Sequence, residues 1–205
     1  MAARAVQEFM HANLPPSPAR LLEVGAGSGE MAALLRDAGY DVVAIDPAGE
    51  GDVLPVALLD FDAPPASFDA ALAVVSLHHV EPFEPSCARL ASLVRPGGAL
   101  VVDEFDVARF DEASAAWLVD RWRDTGRDAG RPPAEIVAHY RAHLHPLDAI
   151  RAGLGEWFDL GPVTHASYLY RWYLGEDFRA AEEALIADGS LPEVGARFTG
   201  TRRQG

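Results

Sequence analysis

With 205 residues, 49% apolar and 23% charged, the chain can bury one α/β core of ordinary size but not two, and its composition excludes wholesale disorder. A formal net charge of −14 repels nucleic-acid backbones and anionic membrane, and Arg202 and Arg203 are too few to make a local exception. The single cysteine, Cys87, allows no intramolecular disulfide or thiolate metal cluster and reads as a small buried helix residue. The N-terminal residues hold no signal-peptide core and no stretch reaches membrane-spanning length, so the expectation is a cytoplasmic protein without a membrane partner.

Val6, Phe9, Met10 and Leu14 recur at helical spacing, which predicts an amphipathic helix over residues 1–14, ended by Pro15, Pro16 and Pro18. Such a helix either covers the sheet or lies across the ligand site, and its pattern fits both. Leu21-Leu22-Glu23-Val24 reads as a short buried strand, closed by the loop Gly25-Ala26-Gly27-Ser28-Gly29. Met31, Leu34 and Leu35 then resume at helical spacing up to Gly39. This is one βα turn of a doubly wound sheet, with glycines that let a ligand lie on bare main chain. The dinucleotide fingerprint G-x-G-x-x-G needs glycine at position 30, where the chain has Glu30. A carboxylate there repels a pyrophosphate from the helix N-terminus and tolerates a zwitterionic or cationic ligand. Glu23, inside the strand, points the same way.

Asp41–Ile45 reads as the second strand, ending at Asp46-Pro47. Asp46 follows Gly25 by about twenty residues, the spacing at which an acidic side chain accepts from both ribose hydroxyls of a nucleoside. Val53–Leu59 is the candidate third strand, followed by Asp60-Phe61-Asp62. Ser67–Ser76 is almost wholly apolar, as a central parallel strand buried on both faces should be. Leu77-His78-His79-Val80 leaves it where open α/β sheets bind ligands; His78 is the first side chain expected in the site, with His79 packed behind it.

Cys87–Val94 reads as a helix, Arg95-Pro96-Gly97-Gly98 as a turn and Ala99–Asp103 as the fifth strand. Asp103, Glu104 and Asp106 crowd its exit, and Glu104 is the candidate to bind a cationic substrate or act as a base. Residues 111–154 are expected to be mostly helical, in two stretches separated by Gly126, Gly130 and Pro132-Pro133. His139 and His143 lie one turn apart, but the H-E-x-x-H arrangement is missing and no metal is expected. Trp157–Leu160, Thr164–Tyr173 and Gly195–Thr201 read as strands and Glu176–Ala187 as a helix. Of Tyr168, Tyr170, Trp172 and Tyr173, most belong to the core and one faces a substrate.

The pattern E-x-G-x-G-x-G over Glu23–Gly29 resembles the first motif of class I S-adenosylmethionine-dependent methyltransferases of the small-molecule type. Ser67-Phe68-Asp69, Leu77-His78-His79-Val80 and Leu93-Val94-Arg95-Pro96-Gly97-Gly98 resemble the same family. The resemblance runs motif by motif from Leu21 to Val102 and beyond that only by order of elements. It implies a doubly wound α/β fold: a mostly parallel, seven-stranded Rossmann-like sheet with an antiparallel last strand. One domain would span 1–205, with a helical insertion at 106–154 over the substrate site.

The resemblance also implies S-adenosyl-L-methionine as cofactor. Glu23 would favour its ammonium group, Gly25, Ala26, Gly27 and Gly29 would accommodate the methionine part, and Asp46 with Pro47 would hold the ribose. Asp60 would accept from the adenine amine, with Asp62 as the alternative after a small register shift. Phe61, Ser76 and Leu77 would complete the cofactor walls, and His78 and Glu104 would be catalytic. The acceptor would be a small molecule, because Ser76-Leu77-His78-His79 is not the Pro-Pro-Tyr arrangement of base-amine methylation and no Pro-Cys nucleophile occurs. An NAD(P)-dependent oxidoreductase and a catalytically inactive S-adenosylmethionine-binding protein stand as the other readings.

Overall fold

Side-chain alternation along the central strands sets the layers of the computed structural model, which describes residues 4–172 and 174–204. On β1 (Arg20–Val24), β4 (Phe68–Val74) and β5 (Val94–Phe105), one set of residues faces one side: Leu22 and Val24, Ala71 and Ala73, Leu100 and Val102. These pack against Leu90 of α3 (Phe83–Leu93) and Ile150 of α6 (Leu147–Gly155). The intervening Leu21, Ala70, Leu72 and Val101 face the other side, against Met10 of α1 (Arg4–Asn13) and Leu35 of α2 (Glu30–Asp37). Burial on both faces explains why β4 is apolar from Ala70 onward, after the half-buried Asp69 near its start.

The strand order is β3-β2-β1-β4-β5-β8-β6, with β2 at Asp41–Asp46, β3 at Val53–Pro55, β6 at Phe158–Leu160 and β8 at Gly195–Arg202. Strands β1 to β5 pair in parallel, and β8 enters antiparallel beside β5. The outer edge of β8 pairs with β6 at one end and with β7 (Thr164–Ala166) at the other. Gly161-Pro162 separates those two strands, and Pro162 has no N–H to give a ladder. Among the described residues, eight segments therefore occupy seven strand positions, with β8 antiparallel to the strands on both of its sides.

Some boundaries differ from the sequence expectation. The third strand stops at Pro55, and Leu58–Asp60 turns as a single 3-10 helix. Of the stretch Thr164–Tyr173 only Thr164–Ala166 is strand; Leu169–Arg171 forms another 3-10 turn, and Tyr173 lies outside the described residues. Helix α1 resolves the choice left open for it: Val6, Met10 and Leu14 are buried in the sheet-covering cluster. Helices α4 (Glu112–Asp124) and α5 (Pro133–His143) form a third cluster with Phe105, Tyr168 and Leu169, whereas α6 lies on the sheet with α3. Helix α7 (Arg179–Ala187) precedes β8.

Candidate active site

The carboxyl ends of β1, β2 and β4 open into one cleft of about 990 Å³. Its floor is the loop after β1. Gly25 has φ +70°, and a Cβ there would stand 2.3 Å from the Cβ of Ser76, so only glycine lets the loop close on the β4 exit. Gly27, at φ +53°, has open space where a side chain would project. Asp46 ties the loop to the end of β2: its carboxylate accepts from the Gly27 amide at 2.9 Å and the Ala48 amide at 2.8 Å. Ser76 completes the floor, donating its hydroxyl to the Val24 carbonyl at 2.6 Å.

Glu23 is 2% exposed, lines the cleft, and has one carboxylate oxygen with no hydrogen-bond partner. Burial pushes its pKa up from 4.5 to about 7, against the opposing pull of Arg36 and the Ala32 amide. A cationic group brought to that oxygen would restore the ionised form. An anionic pyrophosphate would instead meet Glu23, Glu30 and Asp46 in one cleft.

Backbone strain marks the exit of β4. Val75 has φ +54°, unusual for a β-branched residue, and its amide donates to the Asp103 carbonyl at 2.7 Å. The turn that follows is fixed by Glu104, which is fully buried. Its Oε1 accepts from the Ser76 and Leu77 amides at 2.9 and 2.6 Å, and its Oε2 accepts from the Phe105 amide at 2.8 Å and faces His78 Nδ1 at 2.5 Å. His78 is 4% exposed, whereas His79 is exposed and lines the cleft, its ring 4.2 Å from that of His78. Partial burial and the neighbouring His78 hold the His79 pKa below its ordinary 6.5, with Glu104 opposing.

The facing wall comes from the chain after β7: Tyr168, Tyr170, Arg171, Leu174, Gly175 and Glu176. A buried carboxylate shapes this wall too. Glu182 of α7 accepts from the amides of Tyr168, Leu169 and Tyr170 at 2.8, 3.0 and 2.7 Å. Burial raises its pKa while those three donors oppose the rise.

A sequence model described as a methyltransferase domain matches residues 2–168. The chain belongs to that family. An uncharacterized methyltransferase of Mycobacterium tuberculosis is 38% identical over 135 residues, 60% of this chain and 53% of the relative. The chain thus spans about half the length of the first curated relatives it matches. Among solved structures, a 1,6-didemethyltoxoflavin-N1-methyltransferase of Burkholderia thailandensis, holding 1,6-didemethyltoxoflavin and S-adenosylhomocysteine, superposes with a TM-score of 0.59. Its identity is 17%, and the match covers 98% of this chain and 78% of that one. A phosphoethanolamine N-methyltransferase 2 of Haemonchus contortus in complex with S-adenosyl-L-methionine gives 0.64 at 14% identity, over 98% of this chain and 53% of that one. The fold is the class I methyltransferase fold.

Within this methyltransferase domain the cleft brings together Glu23, Gly25, Ala26, Gly27, Asp46, Pro47 and Ser76. Gly29 stands outside the lining: it precedes α2 at φ +76°, and a Cβ there would meet a Val53 methyl carbon at 2.8 Å, so packing and backbone angle both call for glycine. Asp60 and Phe61 are also outside the lining. Because β3 ends early, Val56 to Leu59 reach the cleft, Asp60 is exposed, and Phe61 is buried with its ring 6.2 Å from Phe68. Leu77 is buried in the core beneath the site. His78 and Glu104 pair with each other behind the wall, and His79 takes the cleft-facing place expected of His78.

No residue of 106–154 lines the cleft; α4 and α5 stand behind the 168–176 wall. Tyr168 and Tyr170 both line it, while Trp172 packs among aromatic rings. Sequence reasoning missed Arg171. Its available signal was a lone cation within an aromatic stretch.

Proposed function

We propose that the chain is an S-adenosylmethionine-dependent methyltransferase acting on a small molecule by in-line displacement. The observation that carries this reading is the unpartnered carboxylate oxygen of Glu23 beside a glycine cradle and Asp46, in one cleft. Those groups match an ammonium, a close-lying thioether chain and a ribose diol, and they disfavour a pyrophosphate. When bound, the cofactor supplies a methyl group already activated by positive sulfur.

The protein's own work is then alignment and exclusion of water. Asp46 keeps lone pairs for ribose hydroxyls while holding the Gly27 amide. The apolar side chains of Val56 and Leu58 would offer a wall to the adenine, and Ser76 would fix the floor of the cleft. His79, whose pKa is held below 6.5, would be neutral at pH 7 and placed in the cleft to take a proton from an acceptor that must lose one. The net charge of −14 supports a small acceptor over a nucleic acid. A cytoplasmic location belongs to the same proposal; among the described residues no helix is long and apolar enough to cross a membrane.

The test is ligand choice in a thermal melt. S-adenosylhomocysteine at a hundredfold excess over its dissociation constant should stabilise the native state by about 2.7 kcal/mol. NADH should leave the midpoint unchanged, and stabilisation by NADH alone would overturn the proposal.

A further inference from the structure

Asp103, 1% exposed, sits on β5 directly across from Arg197 of β8. Two guanidinium groups share its carboxylate: Arg197 Nε donates to Oδ1 at 2.7 Å and Arg171 Nη1 to Oδ2 at 2.6 Å. Both arginine side chains are only 14% exposed. One carboxylate between two guanidiniums leaves a surplus positive charge in a partly dry place, an arrangement that draws in an anion. Glu176, which lines the same wall, is already set against Arg179 at 4.0 Å.

The surplus faces the cleft at Arg171, the one arginine or lysine lining it among the described residues. Its position relative to Glu23 is informative. Both Glu23 on β1 and Asp103 on β5 share the sheet face of Leu21 and Val101, with β4 between the two strands. Two strand spacings make about 10 Å across that face. Glu23 and the Arg171 that Asp103 holds both line the cleft, so it carries a carboxylate and a guanidinium in one lining.

We propose that Arg171 is the carboxylate-binding group of the cleft, its guanidinium held by Asp103, whose other oxygen is in turn held by Arg197. The carboxylate belongs either to the amino-acid end of the cofactor, whose ammonium Glu23 would take, or to an acidic acceptor. The first source rests on the cofactor reading above; the second does not.

The test is calorimetric titration of the wild-type protein, Arg171→Met and Arg171→Lys. The probes are S-adenosylhomocysteine, its decarboxylated analogue, 5′-methylthioadenosine, and benzoate added to protein saturated with S-adenosylhomocysteine. If the cofactor supplies the carboxylate, the wild type binds the decarboxylated analogue about tenfold or more weakly than S-adenosylhomocysteine. Arg171→Met then abolishes that difference without changing 5′-methylthioadenosine affinity, and Arg171→Lys restores part of it. If the acceptor supplies it, benzoate binds the loaded wild type and not Arg171→Met, while the nucleoside affinities stay level. Equal affinity for the first two probes together with no benzoate binding overturns the proposal in the wild type alone, whatever the variants' stability. A matched fall for S-adenosylhomocysteine and 5′-methylthioadenosine in Arg171→Met also overturns it, because Arg171 would then be structural. Failure of the wild type to bind any nucleoside probe is the separate failure of the cofactor reading.

Discussion

His78 Nδ1 stands 2.5 Å from Glu104 Oε2, with both side chains closed to solvent, and the same carboxylate accepts from three backbone amides of the turns it joins. Glu104 is thus the pin that fixes the β4 exit against β5. Glu104→Gln keeps one oxygen for Ser76 and Leu77 but points an amide N–H at the Phe105 donor, leaving a buried clash of donors. The expected loss is roughly 2 to 4 kcal/mol, read by urea denaturation. Unchanged stability would mean that the turn is held by other contacts.

His79 should behave in the opposite way. It is exposed at the cleft, so His79→Ala should alter stability by no more than about 0.5 kcal/mol. Its ring should titrate below 6.5 in a pH series followed by NMR, because burial and His78 oppose its protonation. For an acceptor that must lose a proton, the variant should lose roughly 10²-fold in turnover with cofactor affinity intact. Equal turnover would assign the reaction to alignment alone.

The contrast between these two histidines shows what the sequence could and could not reveal. The β1 loop was legible because glycine spacing and an in-strand Glu23 are local features, and so was the sheet, through the apolar runs of β1, β2, β4 and β5. Which of two tandem histidines faces the cleft depends on how a one-turn 3-10 helix docks. That docking is set by Glu104, 26 residues away from His78 in the chain. Asp60 and Phe61 lie outside the cleft lining because the apolar run Val53–Leu59 has strand composition yet leaves the sheet at Pro55, so Val56 to Leu59 reach the cleft instead. Arg171 depends on Asp103, 68 residues away, whose second oxygen is taken by Arg197, and no local pattern announces that pairing.

Gly25→Ala tests the floor. The new methyl group would be placed 2.3 Å from the Ser76 Cβ at a backbone angle of +70°. Strain and the forced shift together should cost about 2 kcal/mol or more, and S-adenosylhomocysteine binding should be lost with the distorted loop. Gly27→Ala meets no neighbour, so its stability cost should be smaller while its methyl group intrudes on the ligand space. Equal stability losses in the two variants would contradict the role given to Ser76.

Asp46→Asn should weaken S-adenosylhomocysteine binding by roughly 1 to 3 kcal/mol, the range for losing a charged hydrogen-bond acceptor. Asp46 also holds the Gly27 and Ala48 amides, so Asp46→Ala should lose stability as well as affinity. Undiminished affinity in a folded Asp46→Asn protein would place the ribose elsewhere.

Glu23 gives the clearest dependence on pH. Its folded pKa, about 7, lies above the unfolded 4.5, so the unfolded chain releases this proton first. Its contribution to stability is complete below pH 4.5 and declines as the pH rises through 7. The limiting loss from this one group is on the order of 3 kcal/mol. Glu23→Gln cannot ionise, so the stability difference between wild type and variant should shift in the variant's favour between pH 4.5 and 8. Ligand binding should run the other way: a cofactor ammonium favours the ionised carboxylate, so wild-type affinity for S-adenosylhomocysteine should rise across pH 7. In Glu23→Gln that rise should disappear. Denaturation and calorimetry at matched pH values read both slopes, and a pH-dependent affinity that survives in Glu23→Gln would assign the titration to another group.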